Sequence, residues 1–373
     1  MKYKVRFVNP QKQYKDHKKE FLKTIDDVFS RGDLISRGDL ENFEKKIAKF
    51  VGVKYAIGVN SGTDALTLSM QAAGINRGDE VITVGHTFMA SISSIYHQGA
   101  KAVLVDVGKD FNMNSDLIEK AITSKTVAIE PVHLNGRVCD MDKIIAIAEK
   151  NNLSIIEDAA QALGAKYKTK EGKWKMAGSF GLAGCFSMYP FKMLGGFGDA
   201  GMVVTNNSEI AKKIKLLRFN GESREDRKFY YHGYTALLDN VQAALLNVKF
   251  KYFKQWITRR RQIANIYRNN LKDLLNIELP YYGDSRFFDV YQNYVIRAER
   301  RNELVKYLNK RGVEVLISWD TPNYKQPVMC PNKIFLCETE KICKEVISLP
   351  MYPELNNTEV TYVANCIIDF YKK

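Results

Sequence analysis

Between residues 53 and 205, short apolar runs alternate with amphipathic stretches, and this alternation constrains the fold more than any other feature of the chain. Tyr55–Val59 reads as a strand and Gly62–Ala73 as a helix. Glu80–Val84 and Ala102–Val105 read as strands around a helical Ala90–His97. Thr126–Glu130 precedes a helix near Met141–Lys150, and Leu153–Glu157 follows as another strand. Gly184–Ser187 and Gly201–Thr205 close the series. Such alternation marks βαβ units, because parallel strands need a crossover and the crossover helix covers the sheet face. The expected class is therefore α/β with a mostly parallel sheet. From Asp239 to Leu271 the helical period is strong, with Val241, Ala244, Leu245 and Val248 on one stripe, so a single long helix is expected there. It leads into a smaller α+β domain with a strand at Tyr291–Ile296 and helices near Arg301–Arg311 and Thr358–Tyr371. The expected domains are 1–250, including an N-terminal helical segment, and 251–373. No repeat or low-complexity linker separates them, so they are expected to pack as one unit.

Composition narrows the function classes. No apolar run reaches the roughly 18 residues of a membrane helix, and the charged start MKYKVRFVNPQKQYKDHKKE lacks a secretory h-region. The six cysteines (Cys139, Cys185, Cys330, Cys337, Cys343, Cys366) form no CxxC pair. They read as free thiols of a cytoplasmic protein, and no metal site is expected. The net charge of +14 gathers in Lys249-Phe250-Lys251-Tyr252-Phe253-Lys254 and Arg259-Arg260-Arg261. No nucleic-acid-binding signature accompanies it, so these runs read as solvated helix faces. A positive field also suits a polyanionic small molecule.

Ligands of an open α/β sheet bind at the carboxyl ends of the strands, and each candidate lies at or just after such an end. Lys192 stands between the strand at Ser187 and the glycine-rich run ending at Gly201. A desolvated lysine there has a lowered pKa, and its neutral amine is a nucleophile that holds an aldehyde as a Schiff base. Asn60-Ser61-Gly62-Thr63-Asp64 joins a strand to a helix, where free N–H groups and the helix dipole suit a phosphate. An ordinary N-cap explains the same residues. Asp158 ends a strand, and a protonated pyridine nitrogen would be its partner, although Asp also favours helix caps. Gln161 and Phe88 are placed to contact a flat ring, and Ser187 offers a further phosphate donor.

These residues lie in motifs that resemble the DegT/DnrJ/EryC1/StrS-type sugar aminotransferases. The likeness runs through Gly62-Thr63-Asp64-Ala65-Leu66, Gly78-Asp79-Glu80-Val81-Ile82 and Gly99-Ala100-Lys101-Ala102-Val103. It continues in Val132-His133-Leu134-Asn135-Gly136, Glu157-Asp158-Ala159-Ala160-Gln161, Ser187 to Gly201, Gln242-Ala243-Ala244 and Ser348-Leu349-Pro350-Met351. The resemblance covers nearly the whole chain and implies the aspartate-aminotransferase-like (fold type I) fold and pyridoxal 5'-phosphate. It implies Lys192 as the Schiff-base lysine, Asp158 as pyridinium partner, and Gln161 and Phe88 as ring contacts. Ser187, Gly62 and Thr63, joined by the backbone of Asp64, are implied as phosphate ligands. It further implies L-glutamate as amino donor and a nucleotide-linked keto-sugar as acceptor, a keto-6-deoxyhexose with C3 favoured over C4. A homodimer is implied as well. Some relatives replace the lysine with histidine and become dehydratases, so Lys192 favours transamination over dehydration, and a regulatory or nucleic-acid-binding relative is the other alternative. One departure stands out. Where the family often has Asn-x-Arg, reaching the neighbouring subunit's phosphate, this chain has Thr235 and Leu237.

Overall fold

Seven short strands make the central sheet of the computed structural model, which describes residues 3–329 and 334–372. They are β1 (Tyr55–Val59), β2 (Glu80–Val84), β3 (Lys101–Val105), β4 (Thr126–Ile129), β5 (Ser154–Asp158), β6 (Ala183–Ser187) and β7 (Gly201–Thr205). Their order is β1-β7-β6-β5-β4-β2-β3. From β3 through β2, β4 and β5 to β6 every pairing is parallel, as the alternation of elements predicts. The exception is β7, antiparallel to both β6 and β1. Between β6 and β7 the chain makes only the Lys192 turn and no crossover helix, so it returns alongside as an antiparallel neighbour.

Consecutive strand residues feed opposite cores, as the two-residue period of a strand requires. Ile156, Ala128 and Cys185 pack under α3 (Gly62–Ala72) with Leu66 and Leu68. Ile155, Ile129 and Phe186 face the other layer, with Ile144 of the helix Met141–Lys150 and residues of α2 (Gly38–Val51), which follows the first helix, α1 (Pro10–Arg31). Helix α4 (Met89–Tyr96) follows β2 and ends one residue before the expected His97.

The single long helix expected over Asp239–Leu271 is two helices, α5 (Asn240–Phe250) and α6 (Phe253–Leu271). The break at Lys251-Tyr252 has a packing cause. Tyr252 turns outward to bond Glu20 and lie 4.1 Å from the His17 ring, while Phe250 and Phe253 stack inward 6.0 Å apart. The basic run is likewise not one solvated face: Lys251 and Lys254 are exposed, but Lys249 and Arg260 are each only 4% exposed. Arg260 Nη1 donates to the carbonyls of Tyr291, Gln292 and Met351 at 3.1, 3.2 and 3.0 Å, which offsets the cost of its burial.

The C-terminal part has its own antiparallel three-stranded sheet of Ile277–Glu278, Tyr294–Ala298 and Val346–Leu349, in that order. The strand expected from Tyr291 starts three residues later, because Tyr291 itself takes a left-handed backbone, φ 54°. Phe253, Trp256 and Ile257 of α6 belong to the large core, whereas Ile263, Tyr267 and Leu271 belong to the small one. Val5 joins that small core and bridges Val313. The boundary expected at 250/251 falls in the turn between α5 and α6, and α6 spans both cores. Cys330 lies outside the described residues. No described helix is long and apolar enough to cross a membrane.

Candidate active site

The ends of β6 and β7 and the start of α3 meet so closely that two positions admit only glycine. A Cβ on Gly201 would lie 2.2 Å from the Ser61 carbonyl oxygen, and one on Gly62 would lie 2.7 Å from Ser187 Cβ. This approach seats Ser187 against the first turn of α3. Ser61 caps that turn, its Oγ accepting from the Asp64 N–H at 3.0 Å and donating to the Asp64 carboxylate at 2.8 Å. The cap uses the N–H of Asp64, and the Gly62 and Thr63 N–H groups keep no protein acceptor among the described residues. The N-cap reading of this turn therefore holds for Asp64, and it leaves two N–H groups of the first turn uncommitted.

Lys192 closes a turn through its N–H to the Tyr189 carbonyl, 2.8 Å. Its ammonium has no hydrogen bond or ion pair with a described residue. Burial lowers its pKa, and the negative charge of Asp158 acts against that shift. The turn is braced from below by Lys249 of α5, whose Nζ donates to the Gly195 carbonyl at 2.7 Å and sits 4.1 Å from the centre of the Phe197 ring. Burial pulls the Lys249 pKa down to about 8.

Asp158, 6% exposed, ends β5 and does not cap a helix. Its Oδ2 accepts from Ser91 Oγ at 2.8 Å and its Oδ1 from the Ala160 N–H at 3.0 Å. Three residues on, Gln161 Oε1 accepts from the Asn135 N–H at 2.8 Å, leaving its amide donors without a partner among the described residues. Beside them His133 is fixed as one tautomer: Nδ1 accepts from the Cys139 N–H at 3.1 Å, so Nε2 donates to Glu157 at 2.9 Å. Glu157 is fully buried and also accepts from the N–H groups of Gly178, Phe180 and Gly181, each at 2.7 Å. Glu157→Ala would orphan all four donors, and a loss of about 3 kcal/mol or more is expected in urea unfolding.

One cavity of about 410 Å³ collects these groups. Gly62, Thr63, Phe88, Asp158, Gln161, Ser187 and Lys192 all line it, so seven of the eight residues singled out from sequence converge there. Asp64 does not line it, since its N–H and carboxylate are engaged by Ser61. Phe88, 59% exposed, stands on the rim. The structure adds His133, Thr87, Tyr189 and Trp319 to the walls, and Ser91 as the donor behind Asp158. Ser91 was within reach of sequence reasoning, as the first-turn serine of the helix after Phe88. Trp319 was not: it comes from the C-terminal part, on a left-handed backbone (φ 56°), with its ring edge-on to His86 at 5.6 Å. Thr235 is exposed, its backbone bridges Phe219, and its hydroxyl donates to Asn220 Oδ1 at 3.4 Å.

Comparison with known proteins places this arrangement. The chain is 39% identical over 368 residues to a "Pleiotropic regulatory protein" of Geobacillus stearothermophilus, covering 96% of each. It is 38% identical over 353 residues to dTDP-3-amino-3,6-dideoxy-alpha-D-galactopyranose transaminase of Aneurinibacillus thermoaerophilus, covering 94% and 95%. Among solved structures it superposes on S. venezuelae DesV, determined in complex with a ketimine intermediate, with TM-score 0.95 and 34% identity over 100% of both chains. The model of the DegT/DnrJ/EryC1/StrS aminotransferase family matches residues 15–368, and the chain belongs to that family.

Proposed function

We propose that this aminotransferase moves the amino group of L-glutamate onto a nucleotide-linked keto-sugar, a keto-6-deoxyhexose aminated at C3 in preference to C4. The product would serve amino-sugar and surface-polysaccharide biosynthesis. Lys192 carries the reading: an unpartnered, partly buried amine with lowered pKa stands in one cavity with the buried carboxylate of Asp158. The C3 preference is supported by the name of the Aneurinibacillus relative, a 3-amino-sugar transaminase.

The cofactor is pyridoxal 5'-phosphate. The cavity's groups fit it: an amine, an anchored carboxylate, free amide donors on Gln161, and two uncommitted N–H groups at a helix start. When bound, its protonated ring supplies the electron sink for the carbanion left by removal of a Cα proton. Asp158 holds the ring cation, itself held by Ser91 and Ala160. Gly62, Thr63 and Ser187 take the phosphate, and Phe88 and Gln161 contact the ring. Lys192 supplies the amine that tethers the aldehyde. When free of that tether, the same amine would act as the base toward the donor's Cα proton and as the acid toward the acceptor carbon. Its lowered pKa keeps the base form populated nearer neutrality.

A homodimer completes the proposal. Phe229, Tyr230, Tyr231 and Tyr234 are exposed together on the loop before Thr235, an apolar strip suited to a second copy.

Mass spectrometry of products from a panel of nucleotide-linked 3-keto and 4-keto sugars with L-glutamate tests the assignment. The expected result is an amino sugar from the 3-keto substrates and 2-oxoglutarate in equal amount. A deoxygenated product without nitrogen would mean dehydration. No glutamate half-reaction, with DNA binding that falls steeply with salt, would mean a regulatory protein and would overturn the proposal.

A further inference from the structure

Directly after β4, on the sheet face that carries Asp158, lies a second carboxyl group. Glu130 is 0% exposed, and neither of its carboxylate oxygens has a hydrogen-bond partner among the described residues. Its main chain continues the ladder, the N–H reaching the Ile82 carbonyl at 2.8 Å and the carbonyl accepting from Thr83 Oγ1 at 3.1 Å. Register places it. Ile129 pairs Ile82 and Ile155, so Glu130 falls beside Thr83 and Ile156, one residue pair deeper in the sheet than Asp158. Its side chain thus shares a face with Ala128, Ile156 and Cys185, the face from which Asp158 also projects.

An ionised carboxylate in that position would be a buried charge with no committed donor among the described residues, on the same sheet face as another carboxylate. Two such groups share one proton, and the environment decides which keeps it. Asp158 receives the Ser91 hydroxyl and the Ala160 N–H, whereas the one hydroxyl near the Glu130 carboxyl, that of Thr83, donates to the Glu130 carbonyl instead. We propose that Glu130 and Asp158 form a two-carboxyl, one-charge pair in which Glu130 keeps the proton, making Glu130 a positioning residue that leaves Asp158 as the single anion for a ring cation. The role toward the cation rests on the proposed part of Asp158 in cofactor binding; the protonation of Glu130 does not.

Burial, and after it the negative charge of Asp158, pushes the Glu130 carboxyl well above the ordinary carboxylate range. The titratable groups acting with it are Asp158 on β5 and Cys185 on β6, the latter a thiol itself raised by burial. From β2 the neighbour is the hydroxyl of Thr83, and α4 contributes Ser91 to the pair. Folded protein therefore holds the Glu130 proton at pH values where unfolded chain has released it. Stability from this group is complete below the ordinary carboxylate pKa and falls as pH rises toward the raised one.

Glu130→Gln, a neutral isostere, removes that fall. The melting temperature of the variant minus that of wild type is expected to rise by about 2 °C or more between about pH 5 and pH 8. A difference constant across that range, whatever its sign, would overturn the proposal. Infrared spectroscopy of the purified protein is expected to contain a protonated-carboxyl band at neutral pH that the variant lacks; absence of the band in wild type would overturn it equally. Should Gln not fold, Glu130→Leu removes the same proton and serves both measurements. The link to Asp158 is read by titrating pyridoxal 5'-phosphate calorimetrically in two buffers at alkaline pH. Wild type is expected to release more protons than Glu130→Gln, because a cation on Asp158 loosens the Glu130 proton. Equal release would overturn the pairing. A failure of Asp158 to hold the cofactor at all would appear separately, in Asp158→Asn.

Discussion

Lys192→Ala is expected to lower turnover by about 10⁴-fold or more, because one substitution removes both the tethering nucleophile and the base. The visible absorbance of bound cofactor and the half-reaction with glutamate should disappear together. Folding should not suffer. The Lys192 side chain has no hydrogen-bonded partner among the described residues to orphan, and its depressed pKa means that the folded state disfavours its charge. A melting temperature at or above that of wild type, beside lost absorbance, would separate a chemical role from a structural one. Retained absorbance and half-transamination would sink the assignment of the lysine, and with it the proposed reaction.

The second large effect is expected at Asp158. Asn preserves the shape but not the charge, and it offers one acceptor oxygen where the carboxylate offers two. Ser91 and the Ala160 N–H now hold the two oxygens separately, so one of them must face an amide N–H instead. Ser91 can reverse its hydroxyl; a backbone N–H cannot. The variant therefore keeps its fold but loses the ion pair to the ring. Loss of a charge-assisted hydrogen bond of about 1.5–3 kcal/mol weakens cofactor retention roughly 10- to 100-fold. The half-reaction should slow by about 10²-fold or more, as removal of aimed electrostatic stabilisation usually does. Equilibrium dialysis reads the first and stopped-flow absorbance the second. Near-wild-type values in both would remove Asp158 from the site.

Much of this site was legible in the sequence because its residues sit at chain punctuation: strand ends, first helical turns and a glycine-rich return. Lys192, Asp158 and Thr63 belong to such places, where local pattern and ligand geometry coincide. The errors have a common cause in packing across the chain. The periodic pattern of 239–271 carries no trace of the break at Tyr252, which is drawn out by Glu20 and His17 more than 200 residues earlier. Lys249 and Arg260 read as surface charges because sequence cannot reveal the carbonyl groups that receive them. Trp319 reaches the cavity from the C-terminal part of the chain, and Glu130 appears as an ordinary strand residue until the sheet register sets it on the face that carries Asp158. Asp64 shows the converse. Its place in the turn before the helix and the possibility of a cap there were both legible, but which N–H the capping serine takes was a matter of rotamer and distance.

Helix α6 is a rod of 19 residues, about 28 Å long by the rise of an α-helix, with one end cast in each core. A member built into both abutments carries bending moments instead of pivoting. Displacement of the C-terminal sheet relative to the Lys192 turn therefore has to flex that beam, so Trp319 and Lys192 are held to a common frame even though they lie 127 positions apart by number (319 minus 192). The cavity is in this sense trussed between the two cores, and a substitution that breaks α6 near Arg260 should slacken the Trp319 wall without touching it.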